Sequence, residues 1–252
     1  MSEIAIHLED VRKTFDEKEY VVNGLNLDIP KGSLTAIIGF SGTGKSVILK
    51  HILGLYRPTS GRIEVLGEDL NKMDNDQLTD FRKNFGVLFQ GSALFDDMTV
   101  LENVCFPLSE HRRELSEGQM VEIASRKLQQ VGLDSKHFDK LPSQISGGMQ
   151  KRTGLARALA LDPEILFYDE PTTGLDPILT EMVDNLIVET HHHRTGITSV
   201  MVSHDLEAAF RIADFVAMLN AGQVLLFGKP EVFFETDNEL VRRFVAKGMK
   251  KT

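Results

Sequence analysis

The chain has 252 residues, 42% hydrophobic and 26% charged, enough to bury one substantial core with a smaller lobe. Its formal net charge of −9 disfavours broad contact with nucleic acid, whose phosphates call for a basic face; the most basic short stretches, Arg242-Arg243 and Lys247 to Lys251, suit a solvated helix end. No apolar stretch approaches the roughly 18 to 20 residues that cross a bilayer, Met1 to Asp10 has neither a basic start nor an apolar signal core, and the single cysteine, Cys105, reads as packing, so a soluble, cytoplasmic protein is expected.

Alternating apolar residues at Ile4, Ile6 and Leu8, then Val21-Val22 and Leu25 to Ile29 before a Pro30-Lys31-Gly32 turn, predict short antiparallel strands. Leu34 to Ile38 reads as a strand and Val47 to Leu53 as a helix, with a Gly-rich loop between them. Arg62 to Leu66 is another strand, ended by Gly67, and Phe85 to Phe89 is an apolar run closed by Gln90. From Thr99 to about Leu161 the spacing turns helical: Leu101, Val104 and Cys105, then Val121, Ala124, Leu128 and Val131, then Leu155, Ala158 and Leu159. Buried parallel strands follow at Ile165 to Tyr168 and Ile197 to Val202, separated by a helix with Met182, Val183, Leu186 and Ile187 on its apolar face. Phe215 to Leu219 and Gln223 to Phe227 flank Asn220-Ala221-Gly222 as a hairpin, and a last helix near Glu239 to Ala246 stacks Leu240 on Phe244 and Val241 on Val245. His191-His192-His193 are adjacent, so their side chains diverge on a helix, and a solvated helix end is expected rather than a metal site.

Gly39-Phe40-Ser41-Gly42-Thr43-Gly44-Lys45-Ser46 completes the G-x-x-x-x-G-K-[ST] pattern between that first buried strand and its helix. Its glycines let backbone N–H groups turn inward around phosphates at a helix N-terminus; Lys45 adds charge and Ser46 can ligate Mg²⁺. The chain is therefore expected to bind a nucleoside triphosphate. Ile165 to Tyr168 delivers Asp169 and Glu170 at a strand's C-terminal end, where α/β sheets bind ligands. Asp169 suits the Mg²⁺ shell and Glu170 a water attacking the γ-phosphate, the competing reading being that both cap the next helix. Ser146-Gly147-Gly148 opens a helix-like run, Met149 to Leu161, with bare N–H groups and a hydroxyl, a second anion site.

The order of phosphate loop, Gln90, Ser146-Gly147-Gly148, Asp169-Glu170, Gly174-Leu175-Asp176-Pro177 and His204 resembles the ATP-binding cassette family of transporter ATPases, over about Ile4 to Gly248. The resemblance implies an α/β P-loop NTPase (RecA-like) core, mostly parallel, with an antiparallel β subdomain and an inserted α-helical subdomain. The boundaries expected are core at 1–90 and 162–228, helical subdomain at 91–161 and a C-terminal helical segment at 229–252. It implies a head-to-tail homodimer with ATP and Mg²⁺ between the phosphate loop of one copy, Val47 included, and Ser146 to Met149 of the other. Phe15 would stack on adenine, or else be a core aromatic. Gln90 would contact Mg²⁺ and the attacking water, His204 the γ-phosphate, and Asp176 would couple the two sites. Met149 stands where the family usually has Gln, so contact to the opposing nucleotide would rest on Ser146 and backbone N–H groups.

Gly39 to Ile52, including Val47, Phe85 to Val104, including Gln90-Gly91-Ser92-Ala93-Leu94-Phe95, Ser146 to Met149 and Ala209 to Asp214 resemble the Mla and Mce-associated phospholipid transport ATPases. That implies a peripheral subunit on the cytoplasmic side of an inner membrane, held by permease subunits, with periplasmic Mce-domain proteins and, in some relatives, a STAS-domain partner. Leu94, Phe95, Met98 and Val100 are expected to help build a groove for a permease coupling helix, the alternative being core packing. An ATPase importing amino acids or another small solute is the rival reading. A soluble cassette ATPase acting on DNA or ribosomes is disfavoured, because basic surfaces and long coiled coils are absent.

Overall fold

The computed structural model describes residues 3–193 and 196–249. In chain order the strands and helices begin with β1 (Ile4–Thr14), β2 (Tyr20–Pro30), β3 (Leu34–Gly39), α1 (Lys45–Ile52), β4 (Ser60–Val65), β5 (Glu68–Asp69) and α2 (Asn75–Phe81). Then come β6 (Phe85–Leu88), α3 (Val100–His111), α4 (Glu117–Gln130), α5 (Gly147–Ala158), β7 (Ile165–Asp169) and α6 (Pro177–His193). Last are β8 (Thr198–Val202), α7 (Leu206–Ile212), β9 (Phe215–Asn220), β10 (Gln223–Gly228), α8 (Pro230–Glu235) and α9 (Glu239–Gly248). The chain divides into two compact units, Met1–Arg82 with Thr195–Thr252, and Lys83–Arg194.

In the first unit β1 lies between β2 and β4, antiparallel to both, with Leu8 opposite Leu27 and Ile63. The period-two burial of Leu25, Leu27 and Ile29 sets one face of this sheet toward the core. Pairing slips between Leu8 and Val11, where Asp10 has φ 44°, and β4 passes so close that a Cβ on Gly61 would sit 2.3 Å from the Asp10 carbonyl oxygen. β3 pairs in parallel with β8 and β9, and β10 closes antiparallel on β9 through a turn at Ala221-Gly222. Every residue of β3 and β8 is buried, Thr35, Thr198 and Ser199 included, which is why neither alternates apolar with exposed polar positions.

In the second unit β6 and β7 pair in parallel, and α3, α4 and α5 pack on one another. Thr99 and Ser116 start α3 and α4 with reciprocal capping boxes to Glu102 and Gln119. Fully buried Asn103 holds the preceding loop, accepting from the Phe95 N–H at 2.9 Å and donating to the Phe95, Met98 and Thr99 carbonyls. Val100 is fully buried and belongs to the core, so it does not line the expected groove. The histidine run is not a uniformly solvated end: His191 is buried, with its ring 5.7 Å from that of exposed His192. Cys105 is half-buried, and burial, with Glu102 and Glu117 nearby, pushes its thiol up to about 11. Arg242, Arg243 and Lys247 are exposed on α9, whereas Lys250 and Lys251 lie outside the described residues.

Candidate active site

The first unit carries the phosphate loop, Phe15 and His204; the second carries Gln90, Ser146 to Met149, Asp169, Glu170 and Asp176. β3 delivers the phosphate loop at its C-terminal end. At Gly39 a Cβ would meet the Leu219 carbonyl oxygen at 2.5 Å, so only glycine fits there. Gly42 and Gly44 adopt φ 79° and 97°, the left-handed region. The Thr43 hydroxyl donates to the Phe40 carbonyl at 2.8 Å, and Lys45 Nζ donates to the Gly39 and Phe40 carbonyls at 2.9 and 3.1 Å. Gly44 caps α1 without a side-chain hydrogen bond, leaving the role of first-turn acceptor to an anion. Ser41, Gly42 and Ser46 are exposed and Val47 is half-buried. The loop therefore fits a triphosphate.

Phe15 is 58% exposed, which removes the core-aromatic reading. Its ring stands edge-on to Tyr56 at 5.5 Å, with Lys13 Nζ 5.1 Å from its centroid. Such a face is open to a flat apolar group. His204 is exposed just beyond β8. Its turn is held from both sides, by the Ser203 N–H donating to the Ile37 carbonyl at 3.1 Å and by the Asp205 carboxylate accepting from the Ala208 N–H at 3.1 Å.

In the second unit the Gln90 side chain is exposed while its carbonyl accepts a hydrogen bond from buried Lys151 of α5. Arg157, on the same helix, donates to the Ala93 and Ser92 carbonyls at 2.7 and 2.8 Å and lies 5.7 Å over the Phe95 ring. Burial lowers both cations from their ordinary values. Lys151 stands four residues before Leu155 and seven before Ala158, so it occupies the face read as apolar. That misplaced charge was the available sign that α5 grips the segment after Gln90. Ser146 caps α5, accepting from the Met149 N–H at 3.4 Å; Ser146 and Gly147 are exposed, and Met149 is half-buried. Gly148 is buried where a Cβ would meet Met182 Cε at 2.4 Å.

Asp169 and Glu170 are half-buried at the end of β7, and α6 starts only at Pro177. They are not its caps. Asp176 fills that position, its Oδ1 accepting from the Ile178 and Leu179 N–H groups at 3.0 Å each. Glu170 has φ 50°, a costly conformation for a residue with a side chain, and its Oε2 accepts from the Thr173 hydroxyl at 2.7 Å. Among the described residues no group of three His, Cys, Asp or Glu forms a metal cage. Ser46 in the first unit and Asp169 in the second are each a hard oxygen donor, the type that Mg²⁺ takes, an ion that keeps waters and binds through one or two carboxylates and substrate phosphates.

A profile of the ABC transporter family matches residues 22–173. The chain belongs to that family. As an ABC ATPase it hydrolyses ATP and has the cassette fold. It is 41% identical over 244 residues to the probable ribonucleotide transport ATP-binding protein mkl of Mycobacterium leprae, covering 96% of this chain and 69% of that protein. It is 39% identical over 233 residues to the intermembrane phospholipid transport system ATP-binding protein MlaF of Haemophilus influenzae, covering 92% and 87%. It is 37% identical to the methionine import ATP-binding protein MetN of Mannheimia succiniciproducens, covering 95% and 70%. Its fold matches, with TM-score 0.79 and 33% identity over 89% of this chain and 98% of the other, a dimeric ATP-binding cassette in a post-hydrolysis state bound to ADP and Pi. Among the described residues no helix is long and apolar enough to cross a membrane.

Proposed function

We propose that this ABC ATPase drives phospholipid transport between inner and outer membranes as a homodimer on permease subunits. The carrying observation is the run Gln90 to Phe95, which resembles the phospholipid-transport subgroup and ends in an exposed apolar groove. That groove, about 330 Å³, is lined by Val87, Phe89, Phe95, Phe106 and Pro107, with Phe89 43% and Phe95 38% exposed. An exposed apolar groove beside Gln90 is what a permease coupling helix requires. Leu94 and Met98 are half-buried and lie outside it, and Val100 is core. The 39% identity to MlaF supports the same cargo.

In this reading Phe15 stacks on adenine, Gly39 to Val47 hold the phosphates with Lys45, and Ser146 to Met149 take the nucleotide of the second copy. Asp169, Ser46 and Gln90 hold Mg²⁺, which neutralises charge developing on the phosphates. Glu170 orients the attacking water, His204 contacts the γ-phosphate and Asp176 couples the two sites. The ATPase sits at the cytoplasmic side of the membrane, where a STAS-domain protein joins it, and periplasmic Mce-domain proteins complete the assembly on the other side. The rival, a small-solute importer, is favoured by the 37% identity to MetN. Copurification with the membrane subunits, followed by lipid extraction, separates them. Bound phospholipid and lipid-stimulated ATP hydrolysis are expected; stimulation by a solute-loaded binding protein, with no lipid retained, overturns the cargo.

A further inference from the structure

Two nucleotide-facing segments of the first unit meet the same C-terminal helix. Phe40, the first variable residue of the phosphate loop, is 41% exposed, and its ring packs edge-on against Phe244 of α9, with centroids 4.5 Å apart and planes at 65°. One turn further on, Gly248 lies against Leu206, two residues beyond His204; a Cβ on Gly248 would stand 2.1 Å from Leu206 Cδ1. The helix is itself anchored: Val241 and Val245 are buried, and the Asn238 side chain accepts from the Leu240 and Val241 N–H groups. A cleft of about 510 Å³ opens between Phe40, His204, Phe244 and Lys247.

A loop with glycines at φ 79° and 97° draws its shape from contacts, because its backbone resists other conformations weakly. Thr43 and Lys45 bind the loop to itself through the Phe40 and Gly39 carbonyls, whereas the Phe40 ring ties it to a separate, anchored element. We infer that Phe244 is a positioning residue for nucleotide binding, holding the phosphate loop through Phe40, and that α9 seats against the His204 turn because Gly248 carries no side chain. The inference rests on the loop being the triphosphate site.

Affinity for a fluorescent ATP analogue, steady-state ATP hydrolysis and amide exchange over residues 40–46 test it on the full chain, well below each variant's melting point. Phe244→Ala is expected to weaken nucleotide binding and raise KM about three- to tenfold, the range open to an edge-on aromatic pair, while kcat changes less than about twofold. Amide exchange in the loop should quicken. Phe244→Tyr, which keeps the ring, should restore both. Phe40→Ala approaches the contact from the loop, and the double variant Phe40→Ala/Phe244→Ala should bind no more weakly than Phe40→Ala alone. Unchanged affinity in Phe244→Ala, or losses that multiply in the double variant, overturns the inference. Failure of the wild-type chain to bind nucleotide instead overturns the triphosphate site, and is told apart because Phe244 then has no affinity to alter.

Discussion

Glu170 combines a carboxylate at the end of a buried strand, a strained left-handed backbone and a hydrogen bond from Thr173. Conformational strain of about 1–3 kcal/mol at a residue with a side chain is tolerated where position matters more than stability. Glu170→Gln should leave ATP affinity intact and reduce hydrolysis at least about 100-fold, trapping the nucleotide-bound dimer; single-turnover kinetics and size exclusion with ATP check this, and undiminished turnover would sink the role. A second residue sets a pH dependence. His51 is buried in α1, donates from Nδ1 to the Val47 carbonyl at 2.7 Å, and is held by burial below its ordinary value of 6.5. The unfolded chain takes up that proton near 6.5 and the folded chain only at lower pH, so the stabilising contribution is full above 6.5 and is lost as pH falls through the folded value. Melting of the wild type should drop more between pH 7 and pH 5.5 than that of His51→Asn, and equal drops in the two would remove His51 as the cause.

At the scale of elements, α5 joins Ser146 at its start to the Gln90 segment through Lys151 and Arg157. Lys151→Met removes the donor to the Gln90 carbonyl while keeping buried bulk. Turnover should fall about tenfold with ATP affinity held within about twofold, because a misplaced catalytic group costs rate before it costs binding. An equal loss in both would make Lys151 merely structural. The elements legible in the sequence were those with enough residues to show a period or an apolar-rich run: β1 to β4, β6 to β8, the β9–β10 hairpin, α1, α3 to α6 and α9. The short helices α2, α7 and α8 were not, since six or seven residues barely make two turns. Their marks are local, namely the Asp74–Gln77 capping box, the Asp205 cap and Pro230 at the first turn. Candidate site residues stood out because phosphate chemistry needs fixed residue types at fixed spacing. Lys151 and Arg157 bind carbonyls, which any sequence presents, so no partner residue advertised them.

At the scale of the whole molecule, a shared ATPase engine must be matched to one membrane partner, and the surface proposed for that match is the groove around Phe95. Phe95→Asp should leave ATP affinity within about twofold and abolish the stimulation of hydrolysis by reconstituted permease, a charge in an apolar seat costing several kcal/mol of contact. Full stimulation by that variant would place the permease contact elsewhere. Asp176 carries a further consequence at this scale. Its carboxylate is engaged by the first amides of α6, so the residue proposed to relay between two copies is also a fastening of its own 17-residue helix. Loss of such a cap costs about 1 kcal/mol. Asp176→Asn keeps the acceptor and discards only the charge, whereas Asp176→Ala also frays the helix. Cooperativity in ATP that survives in Asn but fails in Ala would mean that the relay is mechanical, carried by a helix end rather than by an anion.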